Sequence, residues 1–520
     1  MLCLPSSLSE LLVLLAPCFT GPTFQTFRAL VVGQVSQTGL RTVTGMLVGC
    51  RLSGVWHHSR AHRFFSQSRW SCDELGLRLA ELIVDGFCAP GAAVLVAVDD
   101  TLLHRLGRRI HACFWHHDAT ANSDRAAVAW GNNWVVVGIV VRLPFLERPL
   151  CLPVLFRLWQ PKRKQIPKGK PDPERPGKPE LAREMIDLLA ARLAGRTIDA
   201  VGDAAYATGA WRSLPGQLTL TSRLRSNGAL FAPAPPPTGK RGRPAKWGAR
   251  LPSLTQVATS AATRWFEATV RRYGKTETLT LCQLDCLWGP LGPDTPLRVI
   301  LVRDTSKPSG YQLALITTDL DASPAQIVER YADRWPIEVA FEEAKELFGV
   351  GHAQNRTPKA VERTVPFQFL SMTLAIIWYA ASGHHPDVVA EHRARAPWYR
   401  TKATPSFADM LAKLRRVISP RNITQDRATP PQPNKSSKSS THGQPPDYEL
   451  RKSSSSKQLS EKNRFTRAQK LRTKSSIASA GSVSILTEPR AAIDTEALAM
   501  VSMSGASTMF TKSNSPSVAH

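Results

Sequence analysis

Two apolar runs in this chain end in aspartate. Ala92 to Val98 is continuous and Val-rich, and it closes on Asp99, Asp100 and Thr101. Thr197 to Val201 closes on Gly202 and Asp203. A short uninterrupted apolar run rich in β-branched residues reads as a strand covered on both faces. Trp134 to Val141 can pair beside the first run. A helix-spaced segment, Glu180 to Leu193, closes at Gly195 and leads into the second run. Strand and helix patterns in alternation predict an α/β fold, with carboxylates placed at the ends of two core strands.

The chain has 520 residues, enough for one large or several smaller domains. Lys and Arg number 67 against 41 Asp and Glu, a net charge of +26, which points to a polyanionic partner, nucleic acid first. Residues 1–90 read as short helices and as a DNA-binding domain, and residues 91–418 as the α/β core. Residues 419–520 turn to Ser, Lys, Pro, Thr and Gln with no Trp, a composition that cannot offset its ordering entropy, so a disordered basic tail is expected. Nine scattered cysteines without a CxxC pair fit reduced thiols in a cytoplasmic, nucleoid-associated protein. The apolar stretch Met1 to Phe19 lacks a positive start and carries Glu10, so it reads as a helix rather than a signal peptide. Val365 to Ser382 holds Gln368, Ser371 and Thr373 and reads as a buried helix rather than a membrane span. No membrane partner is expected.

Local signals fill in the organisation. Phe24 to Val32 and Leu40 to Val48 are two helical segments with Arg41, Thr42 and Thr44 opening the second, a layout compatible with a helix-turn-helix. Arg60, Arg63 and Arg69 beside Phe64, Phe65 and Trp70 read as a packed aromatic cluster with a basic rim. Ser71 and Glu74 form a capping-box pattern for a helix reaching about Gly86. Gln160 to Pro179 is a basic loop with Lys162, Arg163, Lys164, Lys168 and Lys170, and it reads as a phosphate contact. A strand-rich insertion is expected at about 215–320, with Arg298 to Arg303 and Tyr311 to Thr317 as two of its strands. Asp321, Ser323 and Pro324 start a helix that runs to Leu347, with Pro336 as a kink or restart and Gly349 and Gly351 ending it.

Asp99, Asp203 and Glu338 form the constellation with chemical content. Two strand-end Asp and a helical Glu are what two-metal phosphoryl transfer requires, the ions lying about 3.5–4 Å apart. Hard oxygen ligands select Mg²⁺ or Mn²⁺ over zinc. On one continuous helix Tyr331, Arg334, Glu338, Glu342 and Lys345 share a face. Such a stripe can hold a metal with DNA phosphates beside it. Glu342 and Glu343 compete with Glu338, and Asp100 competes with Asp99. Asp118 and Asp124 read as loop carboxylates. The pairs His116–His117 and His57–His58 are too short a pattern for a metal site.

The segment from Tyr331 to Lys345 resembles the Tyr-(2)-Arg-(3)-Glu-(6)-Lys signature of insertion-sequence transposases of the DDE class. Thr318-Asp-Leu320 and Arg356 around it are similar to that family too. So are Val98-Asp-Asp-Thr101, Gly131-Asn-Asn-Trp-Val-Val136 and Gly202-Asp-Ala-Ala-Tyr206. The resemblance covers about residues 15–416. It implies an RNase H-like core with a β-rich insertion, behind a helical N-terminal domain. It implies Asp99, Asp203 and Glu338 as catalytic, metal-binding triad for two Mg²⁺ or Mn²⁺ ions. Asp99 is preferred over Asp100 because the matching motif places its Asp two residues before Thr. Tyr331, Arg334 and Lys345 would hold phosphates of the transposon end. Double-stranded DNA, as transposon end and as target, is the implied partner, and a homodimer the implied assembly. A DNA-binding protein of the same fold without catalysis is the alternative.

Within Lys240 to Lys246, Arg241-Gly-Arg243-Pro244 looks like a minor-groove hook, in which Arg241 and Arg243 contact DNA. Trp247 beside it reads as a packed side chain.

Overall fold

The computed structural model describes residues 4–118, 128–167, 169–236 and 245–418. Arg241, Arg243, Lys168, Asp124 and the 419–520 tail lie outside the described residues.

Five helices open the chain: α1 (Ser6–Val13), α2 (Gly21–Ser36), α3 (Val43–Gly49), α4 (Ser59–Ser66) and α5 (Cys72–Phe87). Glycine lets α2 and α3 touch. A Cβ on Gly33 would lie 1.9 Å from the Met46 carbonyl oxygen, and one on Gly49 would lie 2.4 Å from that of Gly33. This packing buries Val43, Gly45, Met46 and Leu47, and among the residues of α3 only Thr44 and Val48 are well exposed. The aromatic reading of α4 holds. Phe64 stacks on Trp70 at 4.9 Å, and Phe27, Phe64 and Phe65 all meet the edge or face of Phe367. Ser71 caps α5 by accepting from the Glu74 backbone N–H, but the reciprocal half of the capping box is missing. Glu74 instead pairs with Arg192 at 2.5 Å, because a cation outbids a backbone amide for its carboxylate.

The core strands are β1 (Val94–His104), β2 (Phe114–His117), β3 (Val128–Val141) and β4 (Leu150–Trp159). Then come α6 (Lys178–Arg192), β5 (Ile198–Gly202) and β6 (Leu218–Arg223). β1, β5 and β6 are parallel neighbours, while β3 pairs antiparallel with β1 and β4 with β3. The expected strand end at Asp99 needs correction. β1 runs on to His104, because β3 supplies antiparallel partners from Val96 as far as His104 while the parallel pairing with β5 stops at Ala97↔Val201. Asp99 is thus inside a strand but beyond the end of its parallel ladder.

The strand-rich insertion is continuous with this sheet. It contains β7 (Leu230–Phe231), α7 (Leu254–Thr259), β8 (Phe266–Arg272), β9 (Lys275–Trp288), β10 (Gly292–Arg303) and β11 (Tyr311–Thr317). β11 returns to pair antiparallel with β6, so one 11-stranded sheet runs β2-β3-β1-β5-β6-β11-β10-β9-β7, with β4 on β3 and β8 on β9.

The predicted long helix is two helices. α8 (Pro324–Ala332) starts at Ser323, whose side chain forms a full capping box with Gln326. α9 (Pro336–Glu346) restarts at Pro336, which has no N–H to continue the first ladder. α9 packs on β1 and β4. α10 (Pro358–Trp378) follows and packs on β4, buried along nearly its whole length. With the turn after it, this stretch, Pro358–Gly383, is the one described helix long and apolar enough to cross a membrane, and 89% of that window is buried inside the protein. Its polar side chains are satisfied internally: Ser371 donates to the Phe367 carbonyl and Thr373 to that of Pro153. α11 (Asp387–Arg395) and α12 (Phe407–Ile418) complete the described chain. A mixed sheet with helices packed on it is the expected RNase H-like α/β architecture, preceded by the expected helical region.

Candidate active site

The site forms where β1, β5 and the α8–α9 junction meet. Extending the β1–β5 register by two residues places Asp99 beside Asp203. Asp203 follows the last residue of β5, and its Oδ1 accepts from the Ala205 N–H at 2.9 Å, which closes a tight turn. Its carbonyl accepts from the Ser222 hydroxyl at 2.8 Å, tying the turn to β6.

Arg334 stands between the carboxylates. One terminal nitrogen donates to Asp99 at 2.6 Å and the other to Glu338 at 2.6 Å. The Arg334 side chain is only 7% exposed, and the Tyr331 ring lies 5.8 Å from its guanidinium. Burial opposes its charge, but Asp99 and Glu338 overcome this and hold it firmly protonated. Burial pushes the Asp99 carboxyl up to about 7; Arg334 pulls it down, while Asp203, Asp100 and Glu338 add to the rise. Burial also raises Tyr331.

Asp100 points the other way, as the two-residue period of a strand requires. It takes Lys178 Nζ at 2.5 Å and the Tyr206 hydroxyl at 3.3 Å. Those contacts occupy it on the opposite face of the sheet from Arg334 and Glu338. Glu342 is exposed, and Glu343 turns instead toward the backbone N–H of Phe407. Of the competing carboxylates, Asp99 and Glu338 are therefore the two that share a cation.

The stripe from Tyr331 to Lys345 does not lie on one helix. Tyr331 ends α8, Arg334 sits in the junction, and Glu338 and Lys345 lie on α9. Lys345 is about two turns from Glu338, in the last turn of α9. Burial lowers it, with Asp118 acting in the opposite sense. Asp118 also pairs with His104 at 2.8 Å. Within the 160–177 loop, Arg163 is held by Asp172 and Glu174. Lys162 donates to the carbonyls of Pro167 and Lys170. Trp247 packs against Phe231 at 5.2 Å.

The quoted motifs have visible structural tasks. Asn132 is fully buried and accepts from Arg105, which in turn donates to the carbonyls of Gly351 and Ala353. Asp319 and Asp199 share Arg330 at 2.9 Å each, fastening α8 to β5 and to the end of β11. Arg330, Lys178 and Tyr273 were not among the residues singled out from sequence. Tyr273 and Gly274 form the β8–β9 turn, with φ of 53° and 79°. This turn lies within electrostatic reach of Arg334 and Glu338. A Gly-containing two-residue link between alternating strands was the available signal for it.

The carboxylate oxygens of Asp99, Asp203 and Glu338 are the hard donors that Mg²⁺ or Mn²⁺ prefers. Asp99 and Glu338 already converge on one cation, the Arg334 guanidinium. With that group between them, no cluster of three His, Cys, Asp or Glu among the described residues is arranged to hold an ion.

No curated protein matches the chain. The family model for DDE superfamily endonucleases matches residues 14–280, slightly more than half of its length. That span contains Asp99 and Asp203 and stops before α8 and α9. On this match, the chain belongs to the DDE superfamily of endonucleases, enzymes of the nuclease and transposase class that act on DNA.

Proposed function

We propose that the protein is an insertion-sequence transposase in which Asp99, Asp203 and Glu338 form the catalytic triad. The observation that carries this reading is the single guanidinium shared at 2.6 Å by Asp99 and Glu338, with Asp203 at the matching position just past the end of β5. The three carboxylates would hold two Mg²⁺ or Mn²⁺ ions. When bound, such ions supply Lewis-acid stabilisation of the leaving oxygen and lower the pKa of the attacking hydroxyl. Arg334, with Tyr331 packed on it, holds the terminal phosphate of the transposon end. Lys345 holds a phosphate further along α9, where burial makes its charge act at short range. Water first attacks phosphorus, and the bond from phosphorus to the 3′-oxygen breaks, leaving a 3′-hydroxyl. That hydroxyl then attacks a second phosphodiester, forming one phosphorus–oxygen bond as another is released. Two ends must be joined, so a homodimer on DNA is part of the proposal, as is a DNA-contacting role for residues 1–90 and for Arg241 and Arg243.

The test is cleavage of a DNA fragment spanning the gene and its flanks, with Mg²⁺, by the wild type and by Asp203→Ala. Discrete cuts at both ends of an inverted repeat, lost in the variant while DNA binding persists, are expected. Binding without cleavage by the wild type would overturn the enzymatic reading in favour of a non-catalytic DNA binder.

A further inference from the structure

A second cationic centre lies beyond the C-terminal end of α9. It is built from Arg41, between α2 and α3, from His352, in the loop after α9, and from Arg415 of α12. The backbone N–H of Arg41 donates to His352 Nδ1 at 3.2 Å, which places the imidazole proton on Nε2. Arg41 Nε donates to the Gln34 carbonyl at 3.1 Å, and Arg415 Nε donates to that of Val35 at 2.7 Å. Both guanidinium groups are thus anchored by one edge to the end of α2.

The anchoring extends into a buried polar network. Gln34 donates to the Phe348 carbonyl at 2.7 Å, and Gln368 of α10 donates to the carbonyls of Arg41 and Gly349. Gly349, at φ of 69°, provides the clearance. A Cβ there would lie 2.6 Å from His352 Nδ1 and 2.9 Å from an Arg41 terminal nitrogen. Four chain segments converge to fix two guanidinium groups and an imidazole in one place.

Among the described residues, no carboxylate offsets the charge of Arg41 or Arg415. α2, α3, the link between them and residues 347–357 contain no Asp or Glu. The one acid of α12, Asp409, is already taken by Lys402 at 2.6 Å and His392 at 3.0 Å. Arg41 is 4% exposed, and Arg415 Nη2 is buried without a hydrogen-bond partner. Arg41 feels burial first and then repulsion from Arg415, and His352 feels burial and then Arg41. Charge buried without a counter-ion is costly, and an entering anion would relieve it.

We infer that Arg41, His352 and Arg415 form a binding site for a phosphate group of the DNA backbone. The inference rests on the DNA reading above and deepens it. α9 carries its C-terminus roughly 12 Å past Glu338 at 1.5 Å per residue. This is about three to four nucleotide steps along one strand. A strand leaving the carboxylates would pass Lys345 and then meet this centre. Two charged guanidinium groups with an imidazole N–H suit the several acceptor oxygens of a phosphodiester.

The test compares the wild type with Arg415→Met, which removes the charge, and Arg415→Lys, which keeps it. Melting is followed in sodium phosphate against sodium chloride at equal ionic strength. DNA binding is titrated against salt with the same proteins. The wild type is expected to gain a saturable rise in melting temperature from phosphate, absent in Arg415→Met and retained in Arg415→Lys. The salt slope of DNA binding should fall by about 0.9 in Arg415→Met. Over a fourfold rise in salt, the wild type then loses roughly 3.5-fold more affinity than the variant. Phosphate-specific stabilisation with an unchanged slope would overturn the DNA assignment and leave a site for free phosphate. No phosphate-specific shift in the wild type would overturn the site itself. Both readouts are independent of cleavage. A protein that cuts no DNA yet shows the slope change refutes the transposase reading alone, while normal cutting with an unchanged slope refutes this inference alone.

Discussion

Asp99 and Asp100 are chain neighbours of nearly identical chemistry, yet the sheet gives them opposite situations. Asp99 faces α9, where it shares Arg334 with Glu338 and stands beside Asp203. Asp100 faces α6, where Lys178 and the Tyr206 hydroxyl take up its oxygens. The difference comes from pleating alone, since successive strand side chains leave on opposite faces. Its consequence is chemical. The Asp99 side accumulates carboxylates, two of them on one arginine and Asp203 beside Asp99, and burial pushes Asp99 upward. The Asp100 side is a matched pair of charges with one hydroxyl. An excess of anionic oxygen is a disposition to take up cations, whereas a matched pair is a fastener between a strand and a helix.

The most demanding way to break this comparison is to exchange each carboxylate for its amide. Asp99→Asn is expected to lower Mg²⁺-dependent DNA cleavage by ~10³-fold or more, equivalent to roughly 4 kcal/mol of transition-state stabilisation. Asp100→Asn should leave cleavage within about tenfold and instead cost about 1–2 kcal/mol of stability, because Lys178 loses its charged partner. Cleavage rates and urea denaturation on both variants decide the matter. Equal loss of cleavage in the two would remove the distinction between the faces.

Arg334 sharpens the same contrast. Arg334→Gln leaves Asp99 and Glu338 facing each other without their shared cation. Removing one partner of a buried charge cluster costs about 3–5 kcal/mol, so denaturation midpoints in EDTA should fall steeply. Added Mg²⁺ should recover part of that loss in the variant, because stabilisation follows from any ligand that binds only the folded state. A variant that is as stable as the wild type in EDTA would show that Arg334 is not the group balancing these carboxylates.

Much of this site could be read before any coordinates, and the parts that could not share a physical cause. The apolar runs, the start at Ser323 and the restart at Pro336 are local signals, written in side-chain type and backbone chemistry. The strand pairing that carries β1 past Asp99 is not local. It depends on β3, which lies some thirty residues on in the chain and whose register runs out to His104↔Gly131. Glu74 shows the same limit: Ser71 caps its helix as written, but a distant Arg192 takes the glutamate from its box. Arg41 reads from sequence as the polar opening of a second helix. Tertiary packing instead turns it inward, to Gln34 and His352. Tyr206 belonged to a motif recognisable in sequence, but its hydrogen bond to Asp100 on a neighbouring strand became visible only in three dimensions.

The mildest effect concerns Glu343, the third glutamate of α9, which sits away from the carboxylate cluster and tests whether an unpaired acid on the same helix behaves differently. Burial pushes Glu343 up to about 7, Glu342 adds to the rise, and the backbone N–H of Phe407 works against it. Its folded value therefore exceeds the ordinary value of about 4.3. The folded state holds the proton more tightly than the unfolded state across that interval. The stability it contributes is complete below about pH 4.3 and is lost as pH rises to about 7. Glu343→Gln keeps the side chain neutral at every pH. Relative to the wild type, its stability should improve progressively between about pH 4.3 and 7, reaching a gain of about 1–2 kcal/mol at neutrality once partial solvent access is allowed for. Melting temperatures of both proteins across that range supply the measurement. Parallel curves would mean that Glu343 is ionised without penalty, and that the accumulation of carboxylates around Arg334, rather than burial on α9, is what sets the Asp99 face apart.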